Sequence, residues 1–180
     1  MAVARDETMK RSAFGDLLLA AWLAVSPAMA QSVASGTFVA DPRNGCKVWN
    51  PHPVADETAT WNGECVNGVA HGRGTLQWTR GGRITETDDG EWNEGRQFGR
   101  GKQNWGSGSY QGDFVNGEPS GQGVMILLRA RYEGEFRSGK PNGTGTVTNL
   151  DGVFRGQWKD GCLTDGTRRI AFAVSLSTCH

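Results

Sequence analysis

Apolar and polar positions alternate with a period of two along the middle of the chain, and glycines interrupt the alternation at regular places. The string YQGDFVNGEPSGQG runs from Tyr110 to Gly123, and 22 residues later the string YEGEFRSGKPNGTG runs from Tyr132 to Gly145. An aromatic, a glycine and a second aromatic on alternate positions share one face of a strand. The Asn-Gly or Ser-Gly pair that follows suits the positive φ angles of a tight turn. Each unit is therefore predicted to be a β-hairpin.

The same unit recurs before and after these two segments. It begins again at Phe154 and fades after Gly161; upstream it appears as GEWNEGRQFGRG, which starts at Gly90, and as WNGECVNGVAHGRG, which starts at Trp61. Four complete units and one partial unit thus occupy residues 61–166. Because one hairpin cannot bury its apolar face alone, the units are expected to stack into a twisted antiparallel sheet of about ten strands.

This pattern resembles the MORN repeat (membrane occupation and recognition nexus), whose consensus is YxGxWxxGxxxGxG. The resemblance implies an all-β fold, an elongated single-layer antiparallel sheet of stacked hairpins. It also implies anionic lipid as a partner to consider, since some MORN proteins are associated with such lipids. The chain departs from the pattern where Asp88 replaces the first aromatic of the second unit and Cys65 replaces the second aromatic of the first unit.

The segments on either side of the repeats are predicted to cap the sheet. Residues 31–60 hold the short apolar stretches at Thr37-Phe38-Val39 and around Trp49, and residues 167–180 hold a terminal strand expected from Arg168 to Leu176. An open sheet leaves unpaired edges that invite aggregation, and attached end segments protect them.

The first thirty residues have the three-part pattern of a secretory signal peptide. Lys10 and Arg11 precede an apolar run from Leu17, and a small-residue cleavage site ends at Ala30, before Gln31. A signal peptide over residues 1–30 is therefore predicted, and the mature chain is expected to be periplasmic or secreted. A buried core helix is the alternative for this run, and Met9 is an alternative start.

The four cysteines lie after the predicted leader, which favours disulfides. Three connectivities exist for four cysteines. Pairing Cys46 with Cys65 and Cys162 with Cys179 is preferred because each bond closes a short local loop near one end of the repeats. A zinc site is disfavoured because the chain lacks a C-x-x-C pair.

Composition excludes some classes of protein. Glycine supplies 27 of the 180 residues, and seven Trp with seven Phe argue against a disordered chain. Lys and Arg number 19, equal to Asp and Glu, so the basic excess typical of a nucleic-acid-binding protein is missing.

No catalytic constellation is recognised in the sequence. It lacks H-E-x-x-H, G-x-S-x-G and a P-loop lysine. His52, His71 and His180 are interpreted as surface residues, and the acidic stretch from Asp88 to Glu91 lacks the ligand spacing of a calcium loop. We expect a non-enzymatic protein with no metal, no cofactor and no catalytic residue.

Two surfaces are candidates for binding. The first is the aromatic face, which would form a groove for a partner segment, a glycan or a second copy if nothing covered it. The second is a polar stripe on the opposite face, which is interpreted either as a solvated surface paired with Arg73 and Arg100 or as a docking site for a basic partner. The aromatic face comprises Trp92, Tyr110, Phe114, Tyr132, Phe136, Phe154 and Trp158, and the polar stripe comprises Glu64, Glu91, Asp113 and Glu135.

The sequence therefore predicts a non-enzymatic protein-interaction scaffold of the bacterial envelope or the secreted fraction. A module that binds membrane lipid or glycan is one alternative. A structural protein that associates with itself is another. No nucleic-acid partner is expected.

Overall fold

The computed structural model describes residues 36–166 and 168–180, so the predicted signal peptide at residues 1–30 lies outside the described residues. Within these ranges the chain forms fourteen strands, all in one open sheet. The strands are β1 Thr37–Ala40, β2 Lys47–Asn50, β3 Glu57–Trp61, β4 Glu64–Val66, β5 Val69–Arg80, β6 Arg83–Asn93, β7 Arg96–Trp105, β8 Gly108–Val115, β9 Glu118–Leu127, β10 Ala130–Arg137, β11 Lys140–Asn149, β12 Gly152–Lys159, β13 Cys162–Asp165 and β14 Arg168–Ala171.

The sheet is a simple meander from β5 to β14, in which each strand pairs antiparallel with the next. At the N-terminal end, β3 and β4 both pair with β5, and β2 joins β5 through one parallel position at Lys47 and Val69. The all-β fold predicted from the sequence is confirmed. The strand number exceeds the expected ten because the flanking segments add strands of their own.

The strands bend sharply at the glycines of the repeat. In a straight strand, the rings of Tyr110 and Phe114 would project side by side from the same face, about 13 Å apart at 3.3 Å per residue. Their ring centroids are in fact 5.0 Å apart, and the pairing with β9 shifts register between Gly112 and Phe114. The same bend occurs between Gly134 and Phe136. The hairpin tips therefore fold over the aromatic face.

Neighbouring tips are joined by a second row of hydrogen bonds. The turns at these tips place both central residues at positive φ, as at Asn116 (53°) and Gly117 (86°), which is the type I′ geometry of hairpins. The Gly117 N–H then donates to the Gln97 carbonyl of the preceding unit at 2.8 Å. The equivalent bonds run from Gly139 to Pro119 at 3.0 Å and from Gly161 to Pro141 at 2.9 Å. Each unit is thus tied to the previous one at its tip as well as along its strands.

Asp41 attaches the N-terminal segment to the first unit. Its buried carboxylate accepts the Trp61 N–H at 2.8 Å and pairs with the Arg43 guanidinium at 2.7 Å. The hydrogen bond from Arg43 lowers the pKa of Asp41 to about 2. The segment therefore stays fixed over the edge of the sheet throughout the neutral range.

Both predicted disulfides are confirmed: Cys46 pairs with Cys65, and Cys162 pairs with Cys179. The predicted terminal strand, however, is too long. Strand β14 stops at Ala171, and the chain then turns through Ala173, whose φ is 60°. A short 3₁₀ turn at Leu176–Thr178 follows, and it leads Cys179 back to Cys162.

Candidate functional site

The aromatic face is a closed core and not a groove. Six of the seven aromatic residues predicted to bind a partner are at most 5% exposed, and Phe154 is half-buried. Their rings contact each other edge to face across neighbouring units, as Tyr110 does with Phe136 at 5.0 Å and Tyr132 with Trp158 at 5.1 Å. A groove was expected only if nothing covered this face, and the bent hairpin tips do cover it. The six buried side chains are Trp92, Tyr110, Phe114, Tyr132, Phe136 and Trp158.

The two tyrosines are fixed in this core by hydrogen bonds from their hydroxyls. Tyr110 donates to the Asp113 carbonyl at 2.9 Å, and Tyr132 donates to the Glu135 carbonyl at 3.0 Å. Burial raises the pKa of Tyr132 to about 12, and burial together with the Asp113 charge raises the pKa of Tyr110 further. Both phenols therefore remain neutral and internal at physiological pH.

The Gly-x-Gly pattern provides the space for these rings. A Cβ atom added at Gly123 would overlap the Tyr110 ring, and one added at Gly145 would overlap the Tyr132 ring. Each tyrosine thus lies on a patch of bare backbone made by glycines on two neighbouring strands. Glycine at these positions lets the tyrosine ring pack directly on the backbone, which any side chain would prevent.

The polar stripe on the opposite face has a structural role at two of its positions. The Asp113 carboxylate accepts the Gln122 N–H at 3.1 Å, and the Glu135 carboxylate accepts the Thr144 N–H at 2.8 Å. Both amides lie beside the register shift of their hairpin, where the ladder between strands is interrupted. These carboxylates therefore satisfy backbone donors that the bend leaves without a strand partner.

Arginines of neighbouring strands pair with the polar stripe. Arg73 lies 3.5 Å from Glu91, and Arg100 lies 3.9 Å from Asp113. Both arginines are more than 80% exposed, so each pair stabilises the fold by about 1 kcal/mol at most. Glu64 is also exposed. These charges therefore remain free to interact with another molecule at little cost to stability.

The same face carries a shallow groove that sequence reasoning did not identify. It has a volume of about 680 Å³ and crosses strands β5 to β8 where their glycines leave the backbone bare. Arg73, Arg100 and Lys102 line it together with Asp89 and Gln111. The signal in the sequence was the i, i+2 spacing of Arg100 and Lys102, which places both on one face of β7. We call this sheet face, with its groove and the polar stripe, the outer face.

The described residues contain no candidate for a metal site or for a membrane-spanning helix. Across residues 36–166 and 168–180, no group of three His, Cys, Asp or Glu side chains is close enough to hold a metal ion. In the same ranges, no helix has the length and apolar character that a membrane span requires.

Comparison with known proteins supports the repeat assignment. The family model described as the MORN repeat matches the chain four times, at residues 62–83, 89–109, 110–127 and 132–152. These matches coincide with the four complete units found from the glycine pattern. No curated protein sequence matches the chain significantly.

Proposed function

We propose that this chain, which belongs to the MORN-repeat family, is a non-enzymatic scaffold that recognises a protein partner outside the cytoplasm through its outer face. The family is in general non-enzymatic and repeat-based binding is its common theme. The proposal rests on the difference between the two faces of the sheet. One face is closed by aromatic packing, and the other presents ordered charged side chains on a rigid support.

The arrangement of charges on the outer face favours a partner with charges of both signs. Arg73, Arg100 and Lys102 border the groove, while Glu91 and Asp113 lie beside them on adjacent strands. Complementary charges of this kind determine orientation and the rate of association more than affinity. A partner would therefore bind across several strands, with its own acidic groups on the groove.

Two features support a location in the periplasm or the secreted fraction. The disulfides Cys46–Cys65 and Cys162–Cys179 are compatible with an oxidising environment. The leader pattern at residues 1–30 agrees with export.

Charge reversal on the outer face tests this proposal. The protein is crosslinked to an envelope extract of its source organism, with and without prior lipid extraction, and captured partners are identified by mass spectrometry. The variant Arg73→Glu/Arg100→Glu/Lys102→Glu should lose the captured protein. A matched variant, Arg83→Glu/Arg129→Glu/Arg137→Glu, makes the same change in net charge at exposed positions outside the groove and should retain it.

Three results would contradict the proposal. Equal capture by both triple variants would remove the outer face from recognition. Binding that disappears after lipid extraction would indicate an anionic lipid surface as the ligand. Recovery of the protein alone would indicate self-association.

A further inference from the structure

The second repeat differs from the others at the place where the aromatic ring should be. Asp88 occupies the position held by Tyr110 and Tyr132 in the next two units, and it is only 2% exposed. The glycine pair below it, Gly90 and Gly101, is retained. The unit therefore keeps the space for a ring and lacks the ring itself.

Gln97 takes up part of this space. It stands at the position of Pro119 and Pro141 in the following units, and its side-chain amide lies over Gly90 and Gly101, where it donates to the Asp89 carbonyl at 3.0 Å. An amide is smaller than a phenol ring, so the replacement is incomplete. Beside Asp88 and Gln97, a cavity of about 230 Å³ lies between the loop that follows β2 and strands β5 to β7. We call it the second-repeat cavity.

Aromatic and polar side chains share the wall of this cavity. Trp78 comes from β5, Trp92 from β6 and Trp49 from β2. The backbone N–H of Trp49 donates to the Gly95 carbonyl at 2.8 Å. The Arg96 guanidinium, also on the wall, stacks on Trp49 at 3.8 Å from the ring centre. The indoles thus form fixed flat surfaces, and polar groups fill the spaces between them.

Three polar atoms of residues on this wall have no hydrogen-bond partner among the described residues and almost no accessible surface: Asp88 Oδ1, Gln97 Oε1 and Trp92 Nε1. Each belongs to a side chain that is at most 5% exposed. A buried polar atom without a partner is costly, so native proteins keep few of them. Three such atoms beside one cavity indicate a ligand that supplies the missing bonds when these side chains turn toward it.

The unpaired atoms define the chemistry of that ligand. Asp88 Oδ1 and Gln97 Oε1 accept hydrogen bonds, whereas the indole of Trp92 can only donate. A hydroxyl group both donates and accepts, so a molecule with several hydroxyls satisfies all three atoms. An ammonium group would leave Trp92 without an acceptor, and an anion without O–H or N–H groups could not donate to Asp88 Oδ1 or Gln97 Oε1.

The protonation of the carboxyl pair also favours an uncharged ligand. Burial and the neighbouring Glu86 charge raise the pKa of Asp88 well above its usual range, and burial raises the pKa of Glu86. A proton is therefore retained by this pair at higher pH than either group would hold one in water. A cation is then not needed to balance the cavity.

We propose that the second-repeat cavity binds one pyranose ring of a neutral sugar, with its hydroxyls on Asp88, Gln97 and Trp92 and its apolar face on an indole. The volume is below the roughly 300 Å³ at which pockets for drug-sized molecules begin, which restricts the ligand to about one ring. The ligand is either a free monosaccharide or the terminal residue of a glycan, since both present the same ring.

Indole resonances provide a direct test. The full protein labelled with ¹⁵N is titrated with glucose, galactose, mannose and N-acetylglucosamine, each to about 100 mM, which detects millimolar dissociation constants. At least one sugar should shift the Trp92 indole N–H signal. The indoles of Trp61 and Trp158 already donate to Glu64 and Gly145, so their signals should stay in place and report an unchanged fold.

Filling the cavity gives the decisive variant. Asp88→Tyr/Gln97→Pro converts the second unit to the residues of the third and fourth units and should abolish the sugar-dependent shift. Val153→Tyr adds a tyrosine at an exposed position that lines neither the groove nor the cavity and should leave binding unchanged. If the double variant fails to fold, Trp92→Phe removes a single donor. The sugar, followed on the indole signals of Trp49 and Trp78 on the same wall, should then bind about three- to tenfold more weakly.

Methyl glycosides distinguish the two sources, because binding of a methyl glycoside indicates a glycan terminus and its loss indicates a free sugar. Absence of any Trp92 shift with all four sugars would overturn the proposal and leave a cavity that holds only water. A shift that persists in Asp88→Tyr/Gln97→Pro would overturn it as well.

Discussion

At the scale of single residues, the turns at the hairpin tips store unequal amounts of backbone strain. The first central residue of each turn has a positive φ, and it is Asn67, Glu94, Asn116, Ser138 or Asp160. Asparagine and aspartate tolerate this conformation because their short polar side chains bond to the local backbone, whereas a glutamate gains nothing comparable. Glu94, with φ of 50°, is the least suited of the five.

Replacing Glu94 by Asn should therefore stabilise the protein. We expect the free energy of unfolding to rise by about 0.5–1 kcal/mol, the scale of a local backbone effect at a turn. Urea denaturation measures it. The reciprocal variant Asn116→Glu should lower the free energy of unfolding by a similar amount, and no change in either direction would show that the turn is not strained at Glu94.

The buried carboxyl of Asp88 makes stability depend on pH. Its pKa is 3.8 when exposed and is raised well above that value in the fold, chiefly by burial and by Glu86. The folded protein therefore holds a proton that the unfolded chain releases, and this contribution to stability is lost as pH rises through the raised pKa. The other groups that influence this pair are Glu57, His52 and Asp89.

The asparagine in Asp88→Asn cannot ionise, so this variant should not lose stability as the pH rises. The thermal midpoint of the variant should exceed that of the parent more at about pH 8 than at about pH 4, because only at the higher pH does the parent bear the cost of a buried charge. Thermal unfolding at the two pH values measures the difference. A constant difference would mean that Asp88 keeps the same charge at both.

At the scale of one element, each hairpin depends on contact between a ring and bare backbone. Gly123 lies directly under Tyr110, whereas Gly106 has open space around the position of a Cβ atom. The two glycines lie on neighbouring repeats and differ in what surrounds them.

Gly123→Ala should therefore destabilise the protein by about 1–3 kcal/mol, the cost of forcing a methyl group into a packed core. Gly106→Ala should change the free energy of unfolding by less than about 0.5 kcal/mol, because the added methyl group meets nothing. Denaturant unfolding of both variants makes the comparison. Equal effects would contradict the role assigned to the Gly-x-Gly pattern.

Much of the element scale could be predicted from the sequence. The Gly and Asn-Gly spacing located the hairpins, because turn geometry depends on local residues such as Asn116 and Gly117. The bend at Gly112 could not be predicted in the same way, because it follows from packing between Tyr110 and the ring of Phe136 in the next unit. Alternation within one strand contains no information about that contact.

The candidate sites were predicted less well than the fold. Asp88 was recognised in the sequence as a departure from the repeat. The cavity beside it could not be predicted, because its wall is formed by residues from separate elements, including Trp49 of β2 and Gln97 of β7. The groove on the outer face likewise arises from side chains on several strands. Such sites are tertiary arrangements, and a repeat in the sequence specifies only what is the same in each unit.

At the scale of the whole molecule, the two disulfides attach both end segments to the repeats. Cys162 and Cys179 are 17 residues apart, and Cys46 and Cys65 are 19 residues apart. Closing a loop of this length stabilises a fold by about 3 kcal/mol through the unfolded chain.

The double variant Cys162→Ala/Cys179→Ala should lower the free energy of unfolding by about 3 kcal/mol and leave the repeats folded. Hydrogen exchange should then accelerate in β14 while β8 to β11 remain protected, because those strands pair on both sides. Acceleration throughout the sheet would mean that the end segment supports the whole structure and does not merely cover its edge.

At the centre of the whole molecule, the aromatic face forms a closed core, and the binding proposals for the outer face and the second-repeat cavity both presuppose it. The chain has only two tyrosines, Tyr110 and Tyr132, and both lie in that core. An ultraviolet titration of tyrosinate absorbance therefore examines the core and nothing else. Because burial raises the pKa of Tyr132 to about 12 and that of Tyr110 higher, the folded protein should show no tyrosinate signal up to about pH 11, and the signal should appear together with unfolding. Reversible titration of either tyrosine near pH 10 in the folded protein would contradict the claim that this core is closed.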